Sequence, residues 1–578
     1  MSVIDWIVLV TTLLGVTIYG VLKSRGSKNL DGYFLGDRSL PWYIILLSIM
    51  GTQASAITFL SAPGQAYTDG MRFVQYYFGL PLAMIVLCIV FVPLFHRLKV
   101  YTAYEYLERR FDVKTRTLTS SLFLLQRGLS TGISIYAPSI ILSSLLGWNI
   151  YWTNAVMGGL LIVYTVTGGA RAVAYTQQLQ LIVIFASLAI VAYMVIHLLP
   201  QGVGLWQALH ISGRLGRLNA LTTGVSKGGF DWTDKYNIWS GLIGGFFLAL
   251  SYFGTDQSQV GRYLTARSIR ESRLGLLMNG LVKIPMQFAI LLLGALVFVF
   301  YQFYPAPLFF NKVQTHRVET SAYRSAGHAL QTRYDTLSME KQLAVSAYAD
   351  AVHRGDTVVQ RRTGLLLNEL HQKDLGLRQD YRALLDKPGL RGGDDNDTNY
   401  IFLRFVVDYL PMGMVGLLIA VIFLAAWGSI AAALNALASC SVVDIHKKFI
   451  QRRCTDHEDV RWSRWYTLGW GLFCILTAQF ASRLGSLIEA VNVLGSLFYG
   501  TILGIFLVAF YVKRAGGSVT FWSAVVVECF VIALFKWSPI GFLWLNAVGA
   551  LGVVVLAWLG SLFFPKRMII RPEGFSQE

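Results

Sequence analysis

Charge is scarce in this sequence: 14% of its 578 residues are Asp, Glu, Lys or Arg, against roughly 25% in an ordinary soluble domain. That excludes a soluble enzyme of average composition. Cysteine is scarce as well. Cys88, Cys440, Cys474 and Cys529 lie in or beside apolar runs and Cys454 in a basic loop, so no disulfide framework is expected. No Gly-rich phosphate loop, no His or Cys cluster at metal spacing and no acyl-transfer nucleophile motif occurs, which argues against an enzyme. The first apolar run lacks a basic n-region and a small-residue cleavage site, so no cleavable signal is expected.

What the sequence has in abundance is hydrophobic length, 54% of residues being apolar or aromatic. Apolar runs near residues 4–22, 42–68, 73–97, 117–146, 149–168, 173–198, 238–261, 274–303, 412–445, 464–481, 485–512, 518–536 and 540–564 each approach the length that crosses a bilayer. The expected protein is all-α and polytopic, with thirteen transmembrane helices. A net charge of +17 in a soluble chain would point to nucleic acid. Here the basic residues sit at span ends, so no nucleic-acid partner is expected. Lys23-Ser24-Arg25, Arg97 to Arg116, Arg171, Arg262 to Arg273, His446 to Arg464, Lys513-Arg514 and Lys566-Arg567 follow the odd-numbered spans. By the positive-inside rule the N terminus is outside and the C terminus inside.

The segment 304–400 breaks this pattern, being long and polar with 13 Lys and Arg against 12 Asp and Glu. Apolar residues recur at helical spacing (Leu330, Leu337, Leu343, Ala347, then Leu366, Leu370, Leu377, Leu384), with Gly355 between the two series. The reading is an extracellular helical hairpin, closed by the turn-rich stretch Gly389–Asn396. It either caps the outer mouth, binds a partner, or is a solvated insertion. Four of the nine histidines fall in this segment at irregular spacing, which fits a surface better than a metal site.

Small and polar residues interrupt two spans. In span 2 the run Gly51 to Thr58 lies at mid-membrane depth before Pro63-Gly64, and in span 7 the run is Ser251 to Gln257. Lipid tolerates such irregularity only where it is buried or lines a cavity, and an unwound segment aims carbonyls and hydroxyls at a cation or solute. The breaks lie five spans apart, so spans 2–6 and 7–11 read as two inverted halves around a midplane site. In span 9 the small residues around Ala425, Gly428 and Ser429 serve close helix packing or, through the Ala425 carbonyl and Ser429 hydroxyl, a hard-oxygen cation site. Arg127, Lys283 and Glu489 are charges inside spans 4, 8 and 11, each a functional candidate or half of a structural pair.

Taken in order, Tyr104–Phe111, Tyr136–Ser139, Tyr164–Gly169, Gly254–Val260 and Leu434–Ala438 with Asp444-Ile445 resemble the sodium/solute symporter family of sodium/glucose, proline, sialic acid and monocarboxylate/multivitamin carriers. Nearly the whole chain apart from the hairpin takes part. The resemblance implies a LeuT-type inverted repeat, five plus five core helices with one leading and two trailing. It places Na⁺, the coupling ion, between spans 2 and 9, with the carbonyls of Gly51, Ala54 and Ala425 and the hydroxyl of Ser429 as ligands. Gly428 departs from the pattern, standing where the family usually has a second hydroxyl, so water or a backbone group must replace it or affinity falls. A second sodium site found in some members matches Gln177, Ala431 and Ala432, which lack the required groups. One Na⁺ is therefore expected.

The same resemblance makes Tyr252 a gating aromatic over the solute, with Gln53 in hydrogen-bonding reach of it. It places Ser55, Thr58, Gln75, Lys283 and Asn492 at positions that face sugar or organic-acid ligands. Lys283, 31 residues after Tyr252, resembles the sugar carriers, while Ser55 and Thr58 resemble the sialic acid and monocarboxylate branch. Arg127 is a further candidate for a carboxylate anchor, and Glu489, one turn from Asn492, is a candidate to pair with a cation. The expected function is sodium-coupled symport of a small polar solute by alternating access, a sugar or sugar acid such as sialic acid ahead of a monocarboxylate. The rivals are a proton-coupled or uncoupled carrier with Glu489 as proton carrier, and a solute sensor whose hairpin recruits a partner. The expected divisions are 1–41 (leading helix), 42–198 (first repeat), 199–303 (outer loop, spans 7 and 8), 304–400 (hairpin), 401–512 (spans 9 to 11) and 513–578 (trailing helices and tail). The expected location is multi-pass in the plasma membrane, as in a bacterial inner membrane.

Overall fold

Backbone amides in lipid have no partner but their own helix, and the computed structural model is helical through nearly all of the residues it describes: 1–23, 38–98, 100–167, 170–226, 228–390, 397–451, 455–481 and 486–564. The basic stretches Ser24-Arg25 and Lys566-Arg567, Gly168-Gly169, Cys454 and residues 391–396, where a turn was expected, lie outside them. The helices are α1 (Val3–Lys23), α2 (Trp42–Gln53), α3 (Ala56–Asp69), α4 (Leu80–Val86, running through Leu87–Phe91 into Val92–Leu98), α5 (Glu105–Arg110), α6 (Val113–Leu146), α7 (Ile150–Thr167), α8 (Ala170–His197), α9 (Leu205–Arg214), α10 (Gly245–Thr255), α11 (Gln257–Leu264) and α12 (Ile269–Phe303). They continue with α13 (Lys312–Glu319), α14 (Arg324–Arg354), α15 (Thr357–Leu385), α16 (Thr398–Tyr409), α17 (Met414–Cys440, extended by Ser441–Ile450), α18 (Asp456–Ala478), α19 (Leu487–Tyr511), α20 (Gly517–Trp537) and α21 (Phe542–Phe563). A two-residue ribbon, β1 (Val225–Ser226) against β2 (Gly229–Phe230), decorates the loop after α9.

Among the described residues, eight helical segments are long and apolar enough to cross a membrane: Ala56–Leu98, Val113–Leu146, Val173–His197, Ile269–Phe303, Met414–Ile450, Leu487–Tyr511, Gly517–Trp537 and Phe542–Phe563. Shorter apolar helices cover Val3–Tyr19, Trp42–Gln53, Ile150–Val166 and Ser240–Thr255. Two expected boundaries move. Span 3 begins late, because Gly70–Tyr77 forms a 3₁₀ segment before α4. The basic loop before span 10 is shorter than expected, since α18 starts at Asp456 under a Thr455 capping box and carries Arg461 and Arg464 within it. Trp522, Val526, Phe530, Val555 and Trp558 point outward from α20 and α21, as a lipid solvent requires.

Close approach governs the interior. A Cβ on Gly294 of α12 would lie 2.1 Å from the Pro63 carbonyl of α3, so glycine is what lets these helices touch. Asp5 of α1 caps the start of α17, its carboxylate accepting from the N–H groups of Gly413 (2.7 Å) and Gly416 (3.2 Å). Arg116 of α6 pairs with Glu108 and Asp444, and Lys448 reaches Glu108 at 2.8 Å.

The hairpin is present as α14 and α15, joined at Gly355 in the left-handed region (φ 73°) and restarted by Asp356 capping Val358 and Val359. Its buried stripe follows the leucine series in part. Leu337, Leu370, Leu377 and Leu384 are buried as expected, whereas Leu343 and Leu366 are 75% and 45% exposed and Ala347 is exposed. Tyr334, Val345, Tyr348 and Val352 pack inward and complete the seam. Arg217, after α9, donates to His371 Nε2 on α15 at 2.9 Å. An arginine cannot accept, so the imidazole is neutral, and burial, then Arg217 and Lys341, push its pKa down to about 3. A histidine whose folded pKa lies below its unfolded value of about 6.5 contributes stability that is complete above that pH and lost as pH falls. Acidification from pH 7 to 5 should cost hairpin docking on the order of 2 kcal/mol, seen as faster hydrogen exchange in α15 and abolished in His371→Phe.

Candidate functional site

The expected break in span 2 is real. Helix α2 stops at Gln53, Ala54 and Ser55 take non-helical backbone angles, and α3 starts at Ala56. The Ser55 N–H turns back to Gln53 O (3.1 Å), so the Gly51 carbonyl loses its usual i+4 donor. The second break falls at Asp256, which ends α10 and caps α11 by accepting from the Ser258 N–H at 2.8 Å.

Three helices meet at the first break. Gln177 of α8 accepts from Ser48 Oγ (2.7 Å) and donates to Thr52 Oγ1 (3.1 Å) and to the Gly428 carbonyl (3.0 Å), joining α2 to α17 through one side chain. Ser429, 8% exposed, donates to the Ala425 and Ala426 carbonyls at 2.9 and 3.1 Å. Ala54 and Ala425 are buried. A Cβ at Gly428 would lie 2.5 Å from Gln180 Oε1, so an amide oxygen stands against the position where a hydroxyl side chain was expected. Ala431 and Ala432 turn away and pack with Val173 and Tyr164 in an apolar cluster.

Beside this junction a polar cavity of about 70 Å³ includes Thr52, Ser55, Ser130 and Ser429 in its lining. A larger one of about 110 Å³ takes Gln53, Ser55, Thr58, Arg127, Tyr252 and Asn492 from the expected set. Three expectations, for Tyr252, Gln75 and Lys283, are corrected, and Glu489 pairs with a cation as expected. The Tyr252 hydroxyl accepts from Gln259 Nε2 at 2.6 Å rather than pairing with Gln53, whose Oε1 is buried without a partner. Gln75 faces away, its amide bound to Thr222 (3.1 Å) and the Tyr236 carbonyl (3.0 Å) of the loop after α9. Lys283 is fully buried behind the wall, its Nζ 5.5 Å from the Tyr77 ring centroid and without a hydrogen bond. Glu489 sits in the first turn of α19, paired with Lys235, and lines a separate vestibule of about 880 Å³.

Arg127 is where the charge of the site resides. It pairs with Asp256 at the second break, Tyr499 donates to the same carboxylate oxygen at 2.8 Å, and the guanidinium lies 5.4 Å from the Tyr252 ring centroid. Sequence reasoning missed Tyr76, Tyr77, Gln126 and Tyr499 in this lining. Tyr76 donates to Asn492 Oδ1 at 3.1 Å. The tandem tyrosines that end the 3₁₀ segment Gly70–Tyr77 were a usable signal, since aromatic rings with a polar tip suit a solute pocket.

The model of the sodium:solute symporter family matches residues 33–323 and 381–526. The chain belongs to the sodium:solute symporter family. It is therefore a sodium-coupled membrane transporter and not an enzyme. The unmatched interval falls across α14 and α15. The sodium/sialic acid symporter of Proteus mirabilis (strain HI4320) is 24% identical over 589 residues, covering 100% of this chain and 98% of the relative. The sodium/sialic acid symporter of Aliivibrio fischeri (strain ATCC 700601 / ES114) is also 24% identical, over 98% of this chain and 94% of its own length. The human sodium/iodide cotransporter is 30% identical over 292 residues, half of this chain and 43% of that protein. In structure, a substrate-bound, outward-open Na⁺-coupled sialic acid symporter superposes with a TM-score of 0.73 at 23% identity, over 98% of this chain and 100% of the other, a likeness of fold.

Proposed function

We propose that this symporter carries a small sugar acid, with one Na⁺, into the cell. The observation that carries the reading is Arg127, a guanidinium in a cavity otherwise lined by neutral hydrogen-bonding groups and aromatic rings. A carboxylate matches that fork, and the hydroxyls of a sugar match Gln53, Ser55, Thr58 and Asn492. The sialic acid symporters among the relatives support this class. Arg127 also links the solute to the second break: Asp256, at the hinge between α10 and α11, engages one of its terminal nitrogens while its Nε is buried without a partner, so a solute carboxylate on the remaining N–H groups shares the guanidinium with Asp256. Solute occupancy is thereby coupled to the second break.

For Na⁺ the proposed ligands are the carbonyls of Gly51, Ala54 and Ala425 and the hydroxyl of Ser429, with Gln180 Oε1 in the place that Gly428 leaves open. All are hard oxygens in a buried setting, the donor type this cation prefers. Glu489 is engaged by Lys235 and lies outside the lining of the cavity that holds Arg127. In this reading thirteen helices cross a plasma membrane with the N terminus and the hairpin outside, α2 to α8 and α10 to α19 form the inverted halves of a LeuT-type core, and the pair α2/α3 with α4, α10/α11 and α12 rocks as one body. Sodium and solute each tighten the other by the same factor.

The test is thermal unfolding of the purified protein with N-acetylneuraminate, neutral sugars and monocarboxylates, each in sodium chloride and in choline chloride. Stabilisation by the sugar acid in sodium alone is expected, with apparent sodium affinity at least about tenfold weaker in Ser429→Ala. Equal stabilisation in choline would sink the coupling, and stabilisation by neutral sugars alone would sink the acid.

A further inference from the structure

Helix α19 has two working faces. Ile488, Val491, Asn492, Gly495 and Tyr499 line the solute cavity, whereas Glu489, Ala490, Val493, Leu494 and Leu497 line the vestibule of about 880 Å³. At about 100° per residue the two sets fall on opposite sides of the helix, so the vestibule stands apart from the solute cavity. Its floor is α6, at Leu129 and Ile133, against which both α18 and α19 pack. Its rim carries Phe480, just after α18, and Phe535 of α20, which are 65% and 42% exposed. Large aromatic rings exposed on a membrane bundle face acyl chains or the interface. The vestibule is a cleft that opens sideways, toward lipid.

The mouth of the cleft is charged. Arg382 of α15, Asp69 at the end of α3 and Glu489 in the first turn of α19 all line it. Glu489 is taken by Lys235. Arg382 and Asp69 are exposed, and among the described residues neither touches a group of opposite charge. Asp69 accepts from the Gln65 amide at 3.0 Å, and Asp397 reaches Arg382 only through space. The cleft thus has one unengaged charge of each sign at its mouth and an apolar wall below.

Length decides what can fill it. From Ser486 to Leu497 helix α19 rises about 16 Å, roughly half of a hydrocarbon core of about 30 Å. A helix of another protein needs the whole thickness, whereas a lipid of one leaflet needs half. We infer that the cleft holds one phospholipid with a zwitterionic amine headgroup, of the phosphatidylethanolamine type. Its phosphate faces Arg382, its ammonium faces Asp69, and one acyl chain lies along Leu129, Ile133 and Leu494. The two protein charges need not meet at one atom, because the headgroup carries its own two charges apart. Arg382 belongs to the hairpin and the rest of the cleft to the core, so the bound lipid fastens one to the other. The assignment holds whichever solute is carried.

The test uses the purified full chain in mild detergent, titrated with dioleoyl phosphatidylethanolamine in one series and dioleoyl phosphatidylglycerol in another. Unfolding temperature and native mass spectrometry are the readouts. A saturable rise and one retained lipid are expected, tighter for the ethanolamine lipid. Arg382→Gln, an exposed position, should weaken the apparent affinity for both lipids at least about fivefold. Asp69→Asn should abolish the preference for the amine headgroup. Ala490→Phe, which fills the apolar wall, should prevent retention, and an unchanged response to sodium over choline in each variant reports an intact core. No saturable site, equal retention of phosphatidylglycerol by the wild type, or undiminished retention in Arg382→Gln and Ala490→Phe overturns the assignment. So does stabilisation by N-acetylneuraminate that depends on Arg382 while lipid retention does not, which would give the mouth to the solute.

Discussion

Sugar-acid uptake into proteoliposomes under an inward sodium gradient should fall at least about 100-fold in Arg127→Gln, the loss expected when one partner of a desolvated, hydrogen-bonded charge pair is truncated. The variant carries a second penalty. Asp256, whose side chain is wholly buried, is left with the Tyr499 hydroxyl and the Ser258 donors but no cation, and an orphaned buried carboxylate costs about 3–5 kcal/mol. Low uptake alone could therefore mean low folded protein. The double variant Arg127→Gln with Asp256→Asn separates the effects, because it removes the orphan charge without restoring the anion anchor. Its unfolding temperature should return toward wild type while uptake stays lost. Double-variant uptake within a few-fold of wild type would exclude Arg127 as the anchor.

The second large effect is structural. Gly294→Ala should destabilise the protein by about 3 kcal/mol or more, since its methyl would lie 2.1 Å from the Pro63 carbonyl and only backbone can yield. The expected readout is loss of the monodisperse detergent-solubilised species. Gly159→Ala on α7 is the control: a Cβ there has nothing within 4 Å, so the change should be neutral or slightly stabilising. Equal behaviour of the two variants would show that α3 and α12 separate freely, against a body that moves as one.

How far the sequence could be read depended on the kind of information each feature needs. Both helix breaks were legible, because polar and small residues inside an apolar run have few explanations in lipid. The hairpin was legible through Gly355 and helical periodicity. Rotation about a helix axis was not. Lys283 and Gln75 lie close in sequence to pocket elements, yet Lys283 turns behind Tyr77 and Gln75 turns toward Thr222, outcomes set by packing between distant segments. Pairing was equally hidden: Arg127 and Asp256 stand 129 positions apart, and no local pattern joins them. Of the hairpin series Leu337, Leu370, Leu377 and Leu384 are buried as expected, while Tyr334, Val345 and Tyr348 fill the rest of the seam and leave Leu343 and Leu366 to solvent.

The Asp5 cap has a consequence for biosynthesis. The carboxylate belongs to α1, while its donors Gly413 and Gly416 follow 408 and 411 residues later. During translation its Oδ1 must wait for them until most of the bundle has been inserted, with Ser2 alone donating to Oδ2 in the meantime. Asp5→Ala should therefore leave early insertion intact and delay the last step of maturation, so that protease-sensitive, nearly complete chains accumulate in a pulse-chase experiment.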